Sequence, residues 1–186
     1  MPFDLDHWKK PRATIANVHE KNDIAYATHG ALMAGLALKA LNLLPQAAAG
    51  MRLIDYGCGT ARIARVFSGH FGHVTAYDPV PECIAVGRTE CPGMTFPNLD
   101  LTDDWATVQP AHHAACINVI EHLADADAQV LIDRIRSKLL PGGMVAMWYC
   151  VTRNAAVMAP LLTAEQRAED AAARVGSINV RAIRLA

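Results

Sequence analysis

The chain has 186 residues, of which 52% are hydrophobic, and a formal net charge of −1 at pH 7. This length suffices for one domain with a substantial core, and the hydrophobic content argues against a disordered chain. The near-neutral charge excludes the strong basic excess that is typical of many nucleic-acid-binding proteins. The composition therefore gives no strong signal for a nucleic-acid partner, although net charge does not exclude a local basic patch.

Three further features bear on the cellular compartment and on metal sites. The longest apolar stretch, residues 31–44, contains Lys39 and Asn42 and is too short to span a membrane. The N-terminal sequence MPFDLDHWKKPR carries charges where a signal peptide needs an apolar core. The five cysteines show no CxxC spacing, which favours reduced, mostly buried thiols over disulfides or a zinc site. We expect a cytoplasmic protein with no membrane contact and no metal.

The first 45 residues are predicted to form a helical cap. Apolar residues recur at helical spacing from Ile24 to Leu44, and Pro45 stops this pattern. The remaining residues, 46–186, are predicted to form one compact unit.

From residue 51 onward, short apolar runs alternate with helix-like segments. The predicted strands are 51–56, 73–77, 94–97, 114–119, 144–150 and 177–185, and the predicted helices are 60–67, 81–89, 127–140 and 163–175. This order predicts right-handed crossovers and therefore a doubly wound, mainly parallel α/β sheet with helices on both faces. Such sheets bind ligands beyond the carboxyl ends of their strands, which places the candidate site at the turns after residues 56, 77, 98 and 118.

The segment RLIDYGCGTARIA, residues 52–64, contains a glycine turn directly after a predicted strand. Gly57 and Gly59 permit a sharp bend and a close approach of the backbone to a ligand. A dinucleotide-binding loop would have a third glycine at position 62, where this chain has Arg62, and this disfavours a nicotinamide-dependent oxidoreductase. Asp55 would repel a pyrophosphate but suits a ligand with an ammonium group. The alternative for Asp55 is a helix cap.

Polar residues follow the next three predicted strands. Asp78 lies 19 residues after Gly59 and is placed to accept both hydroxyls of a ribose, although an ordinary turn aspartate is an equal alternative. Asp100 is placed to accept an exocyclic amine with Leu101 against a flat base, and the alternative is a polar turn. Asn118 ends the following strand beside the glycine turn. Together these residues describe a pocket for an adenosine that bears an amino-acid arm.

Over residues 51–150 the sequence resembles the class I S-adenosylmethionine-dependent methyltransferases. The motifs that carry the resemblance are LIDYGCGTA, AYDP, LDL, INVIEHL and LLPGG. The resemblance implies a Rossmann-like sheet, S-adenosyl-L-methionine as cofactor and an N-terminal helical lid that includes Tyr26, His29 and Met33. It also implies cofactor contacts near the methionine arm (Asp55, Gly57, Gly59), the ribose (Asp78) and the adenine (Asp100, Leu101), and a backbone contact from Asn118.

Two departures from the family pattern stand out. Ala61 occupies a position where the family often has a third glycine, and alanine is tolerated there if the helix has already begun. The tail after residue 150 supplies one strand where the family usually has two. This second departure concerns the acceptor-binding end more than the cofactor end.

Methyl transfer from a sulfonium requires the acceptor atom and the methyl group to be held in line, and a general base only for a protonated, weakly acidic acceptor. Glu121 and His122 are the candidate bases, and the alternative is a structural role at a helix start. No N/D-P-P-Y/F motif follows the fourth predicted strand and no Pro-Cys lies near it. We therefore expect a small-molecule acceptor methylated on O, N or C. The alternatives are a non-catalytic cofactor-binding or regulatory protein and a nucleic-acid-modifying methyltransferase, and the oligomeric state is open.

Overall fold

A computed structural model of the chain describes residues 23–43, 48–97, 103–173 and 178–185. Regular helices and strands alternate along these ranges. In chain order they are α1 (Asp23–Ala40), β1 (Arg52–Tyr56), α2 (Ala64–Phe67), β2 (His73–Tyr77), α3 (Pro81–Glu90), β3 (Ala111–Cys116), α4 (Asp125–Lys138), β4 (Leu139–Cys150), α5 (Ala155–Met158), α6 (Ala164–Ala172) and β5 (Ile178–Arg184). One-turn 3-10 helices lie at Trp105–Thr107, Ile120–His122 and Ala159–Leu161.

The five strands form one sheet in the order β2-β1-β3-β4-β5. The first four are parallel, and β5 is antiparallel to β4. Strand β1 pairs with both of its neighbours, since Leu53 lies opposite Val74 on β2 and His113 on β3. The predicted α/β class and mainly parallel sheet are confirmed.

Helices cover both faces of this sheet, as predicted. Leu53 of β1 packs into a core with α1, α2 and α3, whereas its neighbour Ile54 packs into a second core with α4. This alternation follows from the two-residue period of a strand, which sends successive side chains to opposite faces. Helix α1, the described part of the predicted cap, contributes Met33, Ala34 and Leu38 to the first core. Pro45 lies outside the described residues.

One predicted strand is wrong. Residues 94–97 make only an isolated parallel bridge between Thr75 and Thr95, together with a hydrogen bond from the Ala76 N–H to the Thr95 carbonyl (3.0 Å). Pro97 lacks an N–H and cannot continue a ladder, and Gly93 gives a strand little to pack, so the pairing does not extend.

The LLPGG segment lies inside β4 rather than between a helix and a strand. Helix α4 ends at Lys138, and Leu139 already pairs with Ala111. The register then shifts before Met144 pairs with His113, so the proline and glycines form a bulge. The predicted end of the helix is therefore two residues too late.

The tail contains the one strand that the sequence predicts. Helix α6 begins with a capping box between Thr163 and Gln166, and β5 follows it. Arg181 of β5 contacts the Asp170 carboxylate at 2.8 Å, and the Tyr149 hydroxyl donates to the same carboxylate at 2.6 Å. These polar contacts attach α6 to the outer part of the sheet.

The cysteines follow the sequence expectation: all five are free, and Cys58, Cys83 and Cys116 are buried. Among the helices that the structure describes, none is both long enough and apolar enough to cross a membrane.

Candidate functional site

The glycine loop leaves the carboxyl end of β1 and bends back against β2. The N–H groups of Gly57 and Cys58 both donate to the Tyr77 carbonyl, at 2.7 and 3.0 Å. Gly57 and Gly59 have left-handed φ angles of 76° and 54°, which favour glycine. A Cβ at position 59 would meet no atom of the described residues within 4 Å, so the backbone there borders space that these residues leave open.

Sterics also exclude a side chain at position 57. A Cβ built at this position would lie 2.2 Å from Cγ2 of Val119, in the turn after β3. The first and third strands therefore approach each other closely at their carboxyl ends, and a side chain at position 57 would push them apart.

The helix after the loop starts later than predicted. It begins at Ala64, not at Thr60, because Ala61 has a left-handed φ of 65°. The expectation that the helix has already begun at Ala61 is wrong. Alanine takes the conformation usually given to glycine here, fully buried and with its N–H donating to the Cys58 carbonyl at 3.0 Å.

Asp78 connects the end of β2 to the glycine loop. Its Oδ2 accepts a hydrogen bond from the Gly59 N–H at 2.8 Å, and its Oδ1 accepts one from the Val80 N–H at 2.9 Å. Burial raises the pKa of this carboxyl to about 6, and the two N–H donors oppose that shift. The structure thus brings together two of the residues that the sequence assigns to one pocket.

Asp55 is a buried carboxyl group with one oxygen that no described residue satisfies. The residue is 2% exposed, and its Oδ2 has no hydrogen-bond partner among the described residues. Burial, followed by the nearby charge of Asp78, raises the pKa of Asp55 to about 8. The helix-cap alternative does not hold, since Ile63 is the N-cap of α2 and no side chain caps that helix. A buried unpaired carboxylate is costly, and a cationic donor would relieve it.

Helix α1 packs directly on this loop. The Tyr26 hydroxyl is hydrogen-bonded to the Thr60 hydroxyl, and the Tyr26 ring lies 5.3 Å from the guanidinium carbon of Arg62. Gly30 permits the contact, because a Cβ there would lie 2.6 Å from the Arg62 carbonyl oxygen. Tyr26 belongs to the predicted lid, but its contact with the glycine loop is not evident from the sequence.

The turn after β3 carries the remaining described site residues. Asn118 has a left-handed φ of 59° and is followed by the 3-10 turn Ile120–His122. Asp100 and Leu101, the predicted adenine contacts, lie outside the described residues.

Glu121 and His122 differ strongly in their surroundings. The Glu121 side chain is 14% exposed and its Oε2 has no partner among the described residues, whereas the His122 side chain is 40% exposed. Burial raises the pKa of Glu121 to about 7, and this shift is opposed by a hydrogen bond from the residue's own backbone, by the charge of Arg153 and by a hydrogen bond from the Val119 backbone. Nε2 of His122 lies 3.8 Å from Oε1 of Glu121. Neither residue begins an α-helix, since α4 starts at Asp125.

Sequence reasoning missed Asn154, which is fully buried. Its Oδ1 accepts from the Cys150 N–H at 3.0 Å, and its Nδ2 donates to the Ile120 carbonyl at 3.2 Å. The side chain thereby fastens the end of β4 to the turn after β3. No local pattern reveals this role, because Ile120 lies 34 residues away in the sequence.

The geometry suits a ligand with a positive charge and no phosphate. Asp55 and Asp78 both lie beside the glycine loop, where two acidic side chains disfavour an anionic pyrophosphate. The free oxygen of Asp55 fits an ammonium group, and the space at Gly59 admits a ligand close to the backbone. An amino-acid arm of an adenosyl ligand meets both conditions.

Comparison with known proteins agrees with this geometry. A family model described as a methyltransferase domain matches residues 26–174. Ubiquinone biosynthesis O-methyltransferase from Xylella fastidiosa (strain M23) is 31% identical over 121 residues, which are 62% of this chain and 48% of the relative. The chain therefore spans about half the length of the curated relatives it matches.

Solved structures share the fold. A TehB-like SAM-dependent methyltransferase from Corynebacterium glutamicum is 17% identical and has a TM-score of 0.63, with 97% of this chain and 98% of that chain covered. An amino pentose methyltransferase from Micromonospora echinaspora, solved with SAM bound, is 21% identical and has a TM-score of 0.55, with 79% and 56% covered. With its Rossmann-like sheet and the family match over residues 26–174, the chain belongs to the class I S-adenosylmethionine-dependent methyltransferases.

Proposed function

We propose that this chain transfers a methyl group from S-adenosyl-L-methionine to an O, N or C atom of a small-molecule acceptor. The observation that carries the proposal is the buried, unpartnered Oδ2 of Asp55 beside a glycine loop that borders open space. A metabolite with an ammonium group and an uncharged ribose fits there, and a dinucleotide does not.

The residue roles follow from position. Asp55 receives the ammonium group, and Gly57 and Gly59 let the backbone pass close to the methionine arm. Asp78 binds the ribose hydroxyls while it keeps its bond to the Gly59 N–H. Asn118, in its left-handed conformation, presents backbone groups to the same ligand.

Asp100 and Leu101 are proposed to contact the adenine on the strength of the family resemblance alone. We also propose that residues 1–45 form a cap over the cofactor, a role that the same resemblance supports. Tyr26 supports the cap proposal, because its hydroxyl contacts Thr60 in the glycine loop.

The acceptor is proposed to be a small molecule that is methylated on oxygen. The name of the Xylella fastidiosa relative, an O-methyltransferase of ubiquinone biosynthesis, favours an oxygen acceptor. The near-neutral net charge of −1 gives no support for a nucleic-acid acceptor.

When bound, S-adenosylmethionine supplies a methyl carbon whose bond to sulfur breaks with both electrons going to the sulfur. Glu121 is the group we assign as base. Glu121 would accept the proton of the acceptor hydroxyl as that oxygen becomes the nucleophile. His122, whose Nε2 lies 3.8 Å from Oε1 of Glu121, is the second candidate and is placed to pass the proton to solvent.

Calorimetry and turnover together test the proposal. We expect S-adenosylmethionine and S-adenosylhomocysteine to bind the full chain, NAD not to bind, and S-adenosylhomocysteine to form with a panel of phenols and amines. Binding without turnover on any acceptor would instead support a regulatory cofactor-binding protein. Absence of binding to both adenosyl ligands would overturn the proposal.

A further inference from the structure

Asn154 uses its side chain in an unusual way for its position in the chain. The residue is the N-cap of α5, where an asparagine side chain commonly accepts a hydrogen bond from the helix that it begins. Here the side chain caps nothing, because Oδ1 accepts from the Cys150 N–H at 3.0 Å and Nδ2 donates to the Ile120 carbonyl at 3.2 Å. It thus connects the end of β4 to a separate turn instead of capping its own helix.

The backbone of Asn154 is fixed as well. Its N–H donates to the Cys150 carbonyl, and its carbonyl accepts from the Met158 N–H, both at 2.9 Å. The residue is fully buried, so these bonds are shielded from water and are stronger than exposed ones. Asn154 is therefore a rigid point from which the Ile120 carbonyl is held.

The turn that Asn154 holds has few hydrogen bonds of its own. It is the 3-10 turn Ile120–His122, and backbone bonds of 2.9 and 3.2 Å link it to the neighbouring Val119 and Leu123. The bond from Asn154 is a further one, and it reaches the carbonyl of Ile120 from outside the turn. Hydrogen bonds within short 3-10 turns have poor geometry, so a bond from outside contributes strongly to keeping the turn in one conformation.

The same turn also lies against the glycine loop. Val119 directly precedes the turn, and its Cγ2 would overlap a Cβ built at Gly57. Glu121 is the middle residue of the turn, and its carboxyl accepts hydrogen bonds from the backbone of Val119 and of Glu121 itself. A shift of this turn therefore moves the carboxyl of Glu121 relative to the glycine loop.

Resting on the proposed function, in which Glu121 is the base, we propose that Asn154 is a positioning residue for methyl transfer. Through the Ile120 carbonyl it fixes the turn that carries Glu121, and it thereby sets the distance of this carboxyl from the ligand at the glycine loop. In this role Asn154 touches neither cofactor nor acceptor and acts only through Glu121. The distance matters, because a general base acts only within hydrogen-bond reach of the proton that it removes.

The first test observes the Glu121 carboxyl directly and needs no acceptor. Carbon NMR records its titration in the full chain without ligand, and the resonance that Glu121→Gln removes is assigned to it. The variants are Asn154→Ala and Asn154→Ser. Serine is a good N-cap for α5 but is too short to connect both turns, so Asn154→Ser removes the bridge while it supports the helix. Asn179→Ser is the matched control, because it removes an amide donor from the Asp170 carboxylate in the tail.

We expect a Glu121 pKa of about 7 in the wild type and in Asn179→Ser. In both Asn154 variants the proton affinity of Glu121 should fall by about tenfold or more, because a loosened turn admits water to the carboxyl and moves its pKa toward the ordinary range. A Glu121 titration that Asn154→Ser leaves unchanged would overturn the inference.

The second test determines whether Asn154 acts through Glu121. With the phenol that gives the highest kcat/KM, Asn154→Ser should lower kcat by about 10–100-fold and leave the affinity for S-adenosylhomocysteine within about twofold of the wild type. In the Glu121→Gln background the same substitution should change kcat by less than about twofold, because no base remains to be positioned. Asn179→Ser should leave kcat unchanged in both backgrounds.

A full effect of Asn154→Ser in the Glu121→Gln background would overturn the inference and leave the proposed function intact. A wild-type kcat in Glu121→Gln would overturn the assignment of the base together with the inference. If no phenol or amine is methylated, the proposed function fails, and the NMR titration still decides whether Asn154 positions Glu121.

Discussion

The Asp78 carboxylate accepts a hydrogen bond of 2.8 Å from the backbone N–H of Gly59, across 19 residues of sequence. This bond makes the acid at the end of β2 a support of the glycine loop as well as a proposed ribose ligand. A single substitution at Asp78 is therefore expected to affect both loop stability and ligand binding.

We expect Asp78→Ala to weaken S-adenosylhomocysteine binding by about 1–3 kcal/mol, the scale for removal of a hydrogen bond to a charged group. The melting temperature should also fall, because the Gly59 and Val80 N–H groups lose their acceptor. Calorimetry and thermal unfolding measure the two effects. Asp133→Ala, an exposed carboxylate on α4, is the control. Unchanged affinity in Asp78→Ala would remove this residue from the site.

Asp55 predicts a pH dependence of stability in the ligand-free chain. Its pKa is about 8 in the folded state and about 4 in an unfolded chain, so the folded state binds the extra proton between these values. The contribution of Asp55 to the free energy of unfolding therefore decreases as pH rises from about 4 to about 8.

Asp55→Asn removes this titration. We expect the variant to melt above the wild type at pH 8.5 and closer to it at pH 5, while its affinity for S-adenosylmethionine falls by about 1.5–3 kcal/mol. Thermal unfolding over a pH series, with and without ligand, measures both. A constant difference in melting temperature over that series would show that Asp55 does not titrate in this range.

The contact between α1 and the glycine loop predicts opposite effects for two glycines of the same helix. The methyl group added by Gly35→Ala would meet no atom of the described residues within 4 Å, and the substitution should stabilise the chain by about 0.5–1 kcal/mol through helix propensity. Gly30→Ala gains the same propensity, but its methyl would lie 2.6 Å from the Arg62 carbonyl.

We therefore expect Gly30→Ala to lower the melting temperature and to weaken adenosyl-ligand binding, because α1 and the loop must separate. Gly35→Ala is the matched control for both measurements. Equal stabilisation by the two substitutions would show that α1 moves away from the loop without cost.

Glu121 predicts the pH profile of methyl transfer. A base with a pKa of about 7 is protonated in acid, so kcat/KM should rise with pH and level off above about 8. Glu121→Gln should lower kcat by about 10²–10⁴-fold and abolish that rise, whereas His122→Gln should retain it. An unchanged profile in Glu121→Gln would assign the proton transfer to another group.

Most of the fold can be predicted from the sequence because the patterns that indicate its helices and strands involve residues close together in the chain. The apolar runs at β1, β2 and β4 and the helix boundary at Pro81 follow from hydrophobic period and turn residues alone. The predicted strand at 94–97 does not form because a strand needs a paired neighbour, and within this segment only Thr95 pairs with another residue, Thr75.

The candidate site likewise contains residues whose roles the sequence predicts and residues whose roles it does not. Asp55, Gly57, Gly59 and Asp78 lie at strand ends, where the topology of a parallel sheet brings them together. The roles of Asn154 and Tyr26 depend on partners 34 residues away, and no spacing rule encodes such contacts. At Ala61 the local preference is misleading, because the surroundings impose a left-handed backbone conformation that alanine disfavours.

The 2.2 Å that separates Val119 from a side chain built at Gly57 has a consequence for protein engineering. Substitutions that enlarge position 119 would press on the glycine loop, and those that shrink it would leave a void beneath that loop. The size of the side chain at position 119 therefore controls the position of the loop, and the two cannot be changed independently.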